Sequence, residues 1–224
     1  QHAYYDRVMK DAEHDDEETR NVTVQRAFEL SSNVGISKVI YKHYASQPQK
    51  FIDGLCRLGI NQPLHLSIPG EGAPMIPNPG DNHWYGTTLP WLSVGYGLTM
   101  TPLQTLVFYN AVANNGKMMK RYLVNSINEM GREIKTFKPK VLVDKICSDE
   151  TLAKVKACLM AVVQEEHGTG HALETKVYNF AGKTGTAVTA MDNRGYNKGN
   201  KIYQSAFMGY FPAENPKYSI AVVI

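Results

Sequence analysis

Three strand-like segments close the sequence: "VYNFAGKTGTA" from Val177, "IYQSAFMGYFP" from Ile202 and "YSIAVVI" from Tyr218. Each is rich in β-branched and aromatic residues, which pack well on a pleated surface. "MDNRGYNKGN" joins the first two and "AENPK" joins the next. Consecutive strands with connections of this length predict an antiparallel meander. Upstream the hydrophobic pattern is mostly helical, and neither a repeat nor a dividing linker interrupts it. The expected fold is one α/β domain over residues 1–224, helices first and a sheet at the C-terminal end.

The helices can be bounded from their ends. "TVQRAFELSS" places Val24, Ala27 and Phe28 at helical spacing, and "VGISKVIYKHYA" resumes it with Val39, Ile40, His43 and Tyr44. Ser31, Ser32 and Asn33 fall between the two. Pro48 suits the first turn of a further helix, with Phe51, Leu55 and Leu58 as its stripe and Gly59 as its stop. Residues 60–100 are rich in Pro and Gly and read as a long irregular segment, functional or covering. In "TPLQTLVFYNAVANNG", Thr101 and Gln104 make a capping box, Pro102 opens the helix and Gly116 lies past its end. Leu103, Leu106, Val107, Asn110, Ala111 and Asn114 follow its period. A hairpin is expected around Met130-Gly131. Ser148 should cap a helix with Leu152, Val155, Leu159, Val162 and Val163 on its core side, ending at "HGTGH". "DAEHDDEETRN" reads as a solvated, charged loop.

Composition excludes several function classes. A net charge of +3 is too mild for a nucleic-acid binder. No apolar run approaches a membrane span, and the polar first residues do not form a signal peptide. Cys56, Cys147 and Cys158 are widely spaced without a Cys-x-x-Cys pair, so they read as core thiols rather than a zinc or redox pair. "EEHGTGH" sets His167 and His171 near two glutamates, but Gly168 and Gly170 would break the helix needed to align them, and no metal site is expected. No cofactor is implied. Trp84, Trp91 and Tyr96 read as packing residues, with a substrate groove as the other use.

Two polar motifs are left over. Gly182-Lys183-Thr184 invites a phosphate-loop reading, which needs a glycine five positions before Gly182. Val177 stands there, and "VYNFA" suits a strand rather than a backbone wrap around phosphates. Taken alone, the segment is a strand with glycine kinks. Ser31-Ser32-Asn33, taken alone, is a helix cap.

Together the two motifs resemble the Ser-x-Asn and Lys-Thr-Gly elements of penicillin-binding proteins and serine β-lactamases. "TVQRAFELSSNVGISKVI", "GYGLTMTPLQTLVFYNAVANNGK", "GTG", "FAGKTGTA" and "SAFMGYFPAENPKYSIAVVI" are similar in order and spacing to class B penicillin-binding proteins. Within that class they look most like the septal, cell-division D,D-transpeptidase, in a Bacteroidetes-like version. The resemblance covers nearly the whole chain. It implies a transpeptidase fold, an antiparallel sheet flanked by helices, that cross-links peptidoglycan stem peptides at D-Ala-D-Ala and is acylated by β-lactams. It further implies divisome membrane proteins as partners and a place on the periplasmic face of the inner membrane.

The resemblance also assigns roles. Lys183 would hold the terminal carboxylate region of the substrate and keep the site positive, with the hydroxyls of Thr184 and Thr186 beside it. Gly185 would let an extended peptide approach the strand edge. The backbone N–H of Thr186 would be an oxyanion donor. Ser31 would relay a proton between nucleophile and leaving nitrogen, and Asn33 would fix the substrate backbone and orient the general-base lysine.

One element of the signature is missing. No Ser-x-x-Lys occurs anywhere in the sequence, so the nucleophile and its base are absent. The chain opens on "QHAYYDRVMK" and stops in an apolar strand. The expectation is a partial transpeptidase domain whose nucleophile segment, closing C-terminal helix and N-terminal membrane anchor lie outside it, inactive alone. A β-lactamase or β-lactam sensor of the same fold, and a non-catalytic cell-wall scaffold, are the alternative readings.

Overall fold

The computed structural model describes residues 1–12, 21–189 and 202–224. Most of "DAEHDDEETRN" and all of "MDNRGYNKGN" lie outside the described residues. The chain begins with a short hairpin, β1 (His2–Tyr4) and β2 (Arg7–Met9), which the hydrophobic pattern did not announce. Helices α1 (Val24–Glu29), α2 (Asn33–Tyr44), α3 (Pro48–Arg57), α4 (Thr88–Leu92) and α5 (Pro102–Ala113) follow. A ribbon comes next: β3 (Met118–Met119) pairs with β6 (Val141–Val143), and β4 (Ser126–Glu129) pairs with β5 (Arg132–Thr136). Then come α6 (Asp149–Gln164), a 3-10 turn at His171–Leu173, and β7 (Ala181–Thr189), β8 (Ile202–Phe211) and β9 (Tyr218–Val223).

The last three strands form an antiparallel sheet in the order β7-β8-β9, as expected. The first strand starts later than the pattern suggested, at Ala181, and Val177 is exposed. Tyr178 and Phe180 instead join an aromatic cluster with Phe211 and Tyr218. One face of the sheet rests on α5 and α6. Ala181 and Tyr210, directly paired across β7 and β8, are fully buried there with Val112, Ala113, Leu152 and Leu159. On α6, Leu152, Leu159, Val162 and Val163 are buried and Val155 packs beside them.

Helix ends follow their capping residues. Thr101 accepts the Gln104 N–H at 3.2 Å, and Gln104 Oε1 accepts the Thr101 N–H at 2.7 Å. The buried Gln104 amide also donates to the Gln62 carbonyl at 3.2 Å. Ser148 accepts the Thr151 N–H at 3.2 Å. The hairpin turn falls at Met130 and Gly131, both at positive φ, the pair of left-handed residues that a tight two-residue turn requires.

The buried faces of two helices differ from expectation. In α3 the buried residue is Ile52, while Phe51, Leu55 and Leu58 are only half-buried. In α5 the core takes Gln104, Ala111, Val112 and Ala113. Asn110 and Asn114 are exposed and bond Ser219 and the Lys117 carbonyl at 3.2 Å each. Leu103, Leu106 and Val107 line an open groove of about 330 Å³ with Met119 and Leu123. A helix that is apolar nearly all round carries no stripe to mark its inner face. Within residues 60–100, α4 buries Leu89, Pro90 and Leu92, and the Trp91 ring meets Tyr4 edge-on at 6.2 Å. The three cysteines are free and half-buried.

Candidate functional site

The short helix α1 is capped at its start by Thr23, which accepts the Arg26 N–H at 3.1 Å. It ends abruptly. Ser31 turns to φ +53°, the left-handed region, and its N–H bonds back to the Phe28 carbonyl at 3.1 Å. The Ser32 N–H bonds to the Ala27 carbonyl at 2.8 Å. A non-glycine residue in this conformation costs roughly 1–2 kcal/mol, so the surrounding bonds must hold it. Ser32 then caps α2 by accepting the Gly35 N–H at 2.9 Å. The turn is tight: a Cβ on Gly35 would lie 2.8 Å from the Ala27 Cβ, so only glycine lets the two helices meet this closely.

The turn faces β7. The Lys183 ammonium donates to Ser31 Oγ. It also lies 3.1 Å from the Thr184 carbonyl, 3.3 Å from Thr184 Oγ1 and 3.4 Å from Thr169 Oγ1. The Phe28 ring centroid is 5.8 Å from Nζ, close enough for a cation–π contact. All of these groups are neutral; among the described residues no carboxylate pairs with Lys183. Burial pushes its pKa down to about 8. The ammonium already meets four neutral acceptors, so what it has left for an incoming anion is its unneutralised charge, which is still mostly present at neutral pH.

Thr169 joins the site from the loop after α6. Its N–H bonds to the Glu29 carbonyl at 3.3 Å, satisfying one of the free carbonyls at the end of α1. Thr184 Oγ1 donates to Thr169 Oγ1 at 2.7 Å. Gly168 makes the loop possible, because a Cβ there would fall 2.2 Å from the Val162 carbonyl. Neither histidine of "EEHGTGH" meets a metal-binding cluster among the described residues. His171 turns back to the Val163 carbonyl at 3.3 Å and to Glu174 at 3.6 Å.

β7 is the terminal strand of its sheet, and its pairing decides which backbone groups are free. Thr186 stands opposite Ser205, and Ser205 spends its own N–H and C=O on Ile224 at 2.9 Å each. In an antiparallel ladder these groups alternate sides. The N–H and C=O of Thr186, and of Thr184 two residues before it, therefore point away from β8 to the open edge. The Thr184 carbonyl accordingly meets Lys183 Nζ on that side. Gly185 is exposed, and the nearest atom to a Cβ placed there would be the Ala206 Cβ at 4.0 Å.

Ser31, Lys183 and Thr184 therefore come together across 152 residues of sequence. Thr186 and Gly185 lie further along the same edge, exposed. The Asn33 amide does not reach Lys183 but meets the Lys10 carbonyl at 3.4 Å. From sequence, Thr169 entered only within the "GTG" segment and Phe28 only as a helix residue, and neither was given a place in the site. The glycines on either side of Thr169 were the available signal, since they mark a backbone under close approach.

The family model of the penicillin-binding protein transpeptidase domain matches residues 1–224. The chain belongs to this family. It is 32% identical over 208 residues to penicillin-binding protein PbpB of Mycobacterium tuberculosis, covering 90% of this chain and 30% of that protein. It is 30% identical over 194 residues to the probable peptidoglycan D,D-transpeptidase PbpC of Pseudomonas aeruginosa, covering 87% of this chain and 31% of that one. The chain thus spans about a third of the length of these relatives. Penicillin-binding protein 3 of M. tuberculosis, solved with aztreonam, superposes with a TM-score of 0.74 at 28% identity, over 90% of this chain and 44% of that one. The transpeptidase domain of Burkholderia pseudomallei penicillin-binding protein 3 gives 0.73 at 26% identity, over 91% and 56%. The fold is the mixed α/β penicillin-binding fold, of class B type. No helix among the described residues is long and apolar enough to cross a membrane.

Proposed function

We propose that this chain is the substrate-holding part of a peptidoglycan D,D-transpeptidase. The observation that carries this is the Lys183 ammonium, bonded to Ser31 and free of any carboxylate partner among the described residues, beside an open strand edge. An extended stem peptide would add to β7 as a further strand, using the backbone groups of Thr184 and Thr186. Its D-Ala-D-Ala carboxylate would lie against Lys183 and the hydroxyls of Thr184 and Thr186, where a charge-assisted bond contributes about 1.5–3 kcal/mol. A β-lactam carboxylate would take the same place. Gly185 leaves the edge clear for the incoming chain.

The attacking serine and its lysine base would come from sequence outside residues 1–224, since Ser-x-x-Lys is absent here. Its hydroxyl oxygen would bond to the penultimate D-Ala carbonyl carbon, and the peptide bond to the last D-Ala would break. Ser31 would pass a proton to the departing nitrogen. The Thr186 N–H would steady the oxyanion, a contribution worth roughly 10²–10³ in rate. An amine of a second stem peptide would then take the acyl group and free the serine. Asn33 would orient the lysine base and the substrate backbone after leaving the Lys10 carbonyl.

The septal, Bacteroidetes-like assignment rests on the sequence resemblance. With it go divisome membrane proteins as partners and a periplasmic site at the inner membrane, anchored by a helix outside this chain. The test is incubation of the full-length protein with a fluorescent penicillin, followed by peptide mass spectrometry. One adduct per molecule is expected, on a serine outside residues 1–224. An adduct on the 224-residue chain alone would overturn the external nucleophile. No adduct on the full-length protein would overturn the transpeptidase reading. Rapid turnover of the adduct would favour a β-lactamase.

A further inference from the structure

The Ser31–Ser32–Asn33 turn is held from two directions. From α1 come the backbone bonds that end the helix, Ser31 N–H to Phe28 at 3.1 Å and Ser32 N–H to Ala27 at 2.8 Å. From the other side comes the segment just after β2. The Asp11 carboxylate accepts the Ser32 hydroxyl at 2.9 Å on one oxygen and the Val34 N–H at 3.0 Å on the other. The Lys10 carbonyl accepts the Asn33 amide at 3.4 Å. Ser32, Asn33 and Val34, the end of the turn and the start of α2, therefore donate to two successive residues of one strap. Val34 is only 8% exposed, so water is poorly placed to replace the carboxylate on its N–H.

This clamp matters because of what the turn carries. Ser31 is the residue bent to φ +53°, and it meets Lys183 through its hydroxyl. Ser32, immediately next to it, spends its hydroxyl proton on Asp11 and a lone pair on the Gly35 N–H. With the Ser32 hydroxyl proton and one of its lone pairs tied to fixed partners, the backbone around Ser31 has little room to relax. An Asp11 that only capped α2 would act on folding alone. An Asp11 that fixes the turn also decides where Ser31 Oγ stands relative to Lys183.

We propose that Asp11 is a positioning residue, whose carboxylate locks the Ser31–Ser32–Asn33 turn so that Ser31 stays on the Lys183 ammonium. Its catalytic consequence rests on the transpeptidase reading; its geometric consequence does not. Misplacing a reacting group by about 1 Å can lower a rate by roughly 10²-fold.

The experiment uses the full-length protein and two readouts. The first is the acylation rate constant with a fluorescent penicillin, normalised to folded protein. Asp11→Ala should lower it by about 10–100-fold, and Asp11→Glu should recover part of the loss. Ser31→Ala should lower it too, and adding Asp11→Ala to Ser31→Ala should change nothing further, because one residue acts through the other. Effects that multiply, or a folded Asp11→Ala acylated at the parent rate, would overturn the proposal. If Asp11→Ala does not fold, Asp11→Asn keeps one acceptor oxygen and takes its place in the same cycle.

The second readout is the NMR signal of the Lys183 Cε group. Asp11→Ala and Ser31→Ala should displace it in the same direction. An Asp11→Ala protein with an unmoved Lys183 signal refutes the clamp. A parent protein that penicillin does not acylate, but in which Asp11→Ala moves Lys183, refutes the transpeptidase reading and leaves the clamp standing.

Discussion

Among the described residues, the β7–β8 ribbon and the β4–β5 ribbon each leave a strand edge open, and they differ in what lies behind them. β7 and β8 have α5 and α6 against one face, with Ala181 and Tyr210 fully buried. β4 and β5 have nothing comparable: every residue of β5 is exposed, Ile134 is 58% exposed and Met130 wholly so. Both ribbons carry lysine. Lys183 is half-buried among two threonines, a serine and a phenylalanine. Lys135 stands on the exposed hairpin, 4.9 Å from the Phe137 ring. Only the ribbon with a packed face holds its lysine in a partly dry, neutral setting, and that setting is what leaves the charge free for a ligand.

The contrast can be broken most forcefully at Gly182. A Cβ there would lie 2.5 Å from both the Met208 carbonyl and the Phe207 ring. Gly182→Val should destabilise by more than about 3 kcal/mol, because backbone against backbone has no rotamer escape. Urea unfolding measures this, and a loss below about 1 kcal/mol would mean that the pairing of β7 and β8 gives way easily. Next in size is Lys183→Ala in the full-length protein. Losing the charge-assisted contact should slow penicillin acylation by about 10²-fold. Lys183→Arg should not restore it, since a planar guanidinium does not fit the compact set of hydroxyls around Nζ.

A smaller effect separates ligand binding from folding. The folded Lys183 titrates at about 8 and the unfolded side chain near 10.4. Between those values the unfolded chain binds more protons, so stability rises with pH; below about 8 the burial penalty is present in full. The gain, read as the difference between the parent and Lys183→Met in thermal unfolding, should be on the order of 1–2 kcal/mol. Affinity for a carboxylate should run the other way and fall as pH rises through about 8. Parallel slopes would mean that Lys183 does not hold the anion. The smallest effects belong to the exposed hairpin. Met130→Ser and Ile134→Thr should each change stability by no more than about 0.5 kcal/mol, with acylation unaffected. A loss of several-fold in acylation would show that this ribbon serves the site.

Much of this architecture is local and can be read residue by residue. The capping box at Thr101 and Gln104, the Ser148 cap and the Met130-Gly131 turn each depend on a few neighbouring side chains, and they form where the pattern puts them. The three-strand meander is also local, since each strand pairs with the next. Ser31 and Lys183 were recognisable as a pair only through a family resemblance, because nothing in their spacing predicts a contact across 152 residues. Of the residues given to the period of α5 only Ala111 is buried, because apolar residues surround the helix and leave no stripe to mark its inner face. The β1 and β2 hairpin escaped because its strands are three residues each, too short for a period to register.

Residue chemistry by itself determined the capped helices, the Met130-Gly131 turn, the meander and the two motifs, because propensity, capping and alternation act over a handful of neighbours. Tertiary structure alone decided that Thr169 completes the Lys183 site, that Asn33 turns to the Lys10 carbonyl and that Asp11 grips the turn beneath Ser31. It also decided which side of β7 faces outward, since that depends on how Ser205 spends its bonds on the far strand. These are contacts between segments far apart in the chain. No local rule selects them; they follow from which surfaces the packed helices and sheet bring face to face.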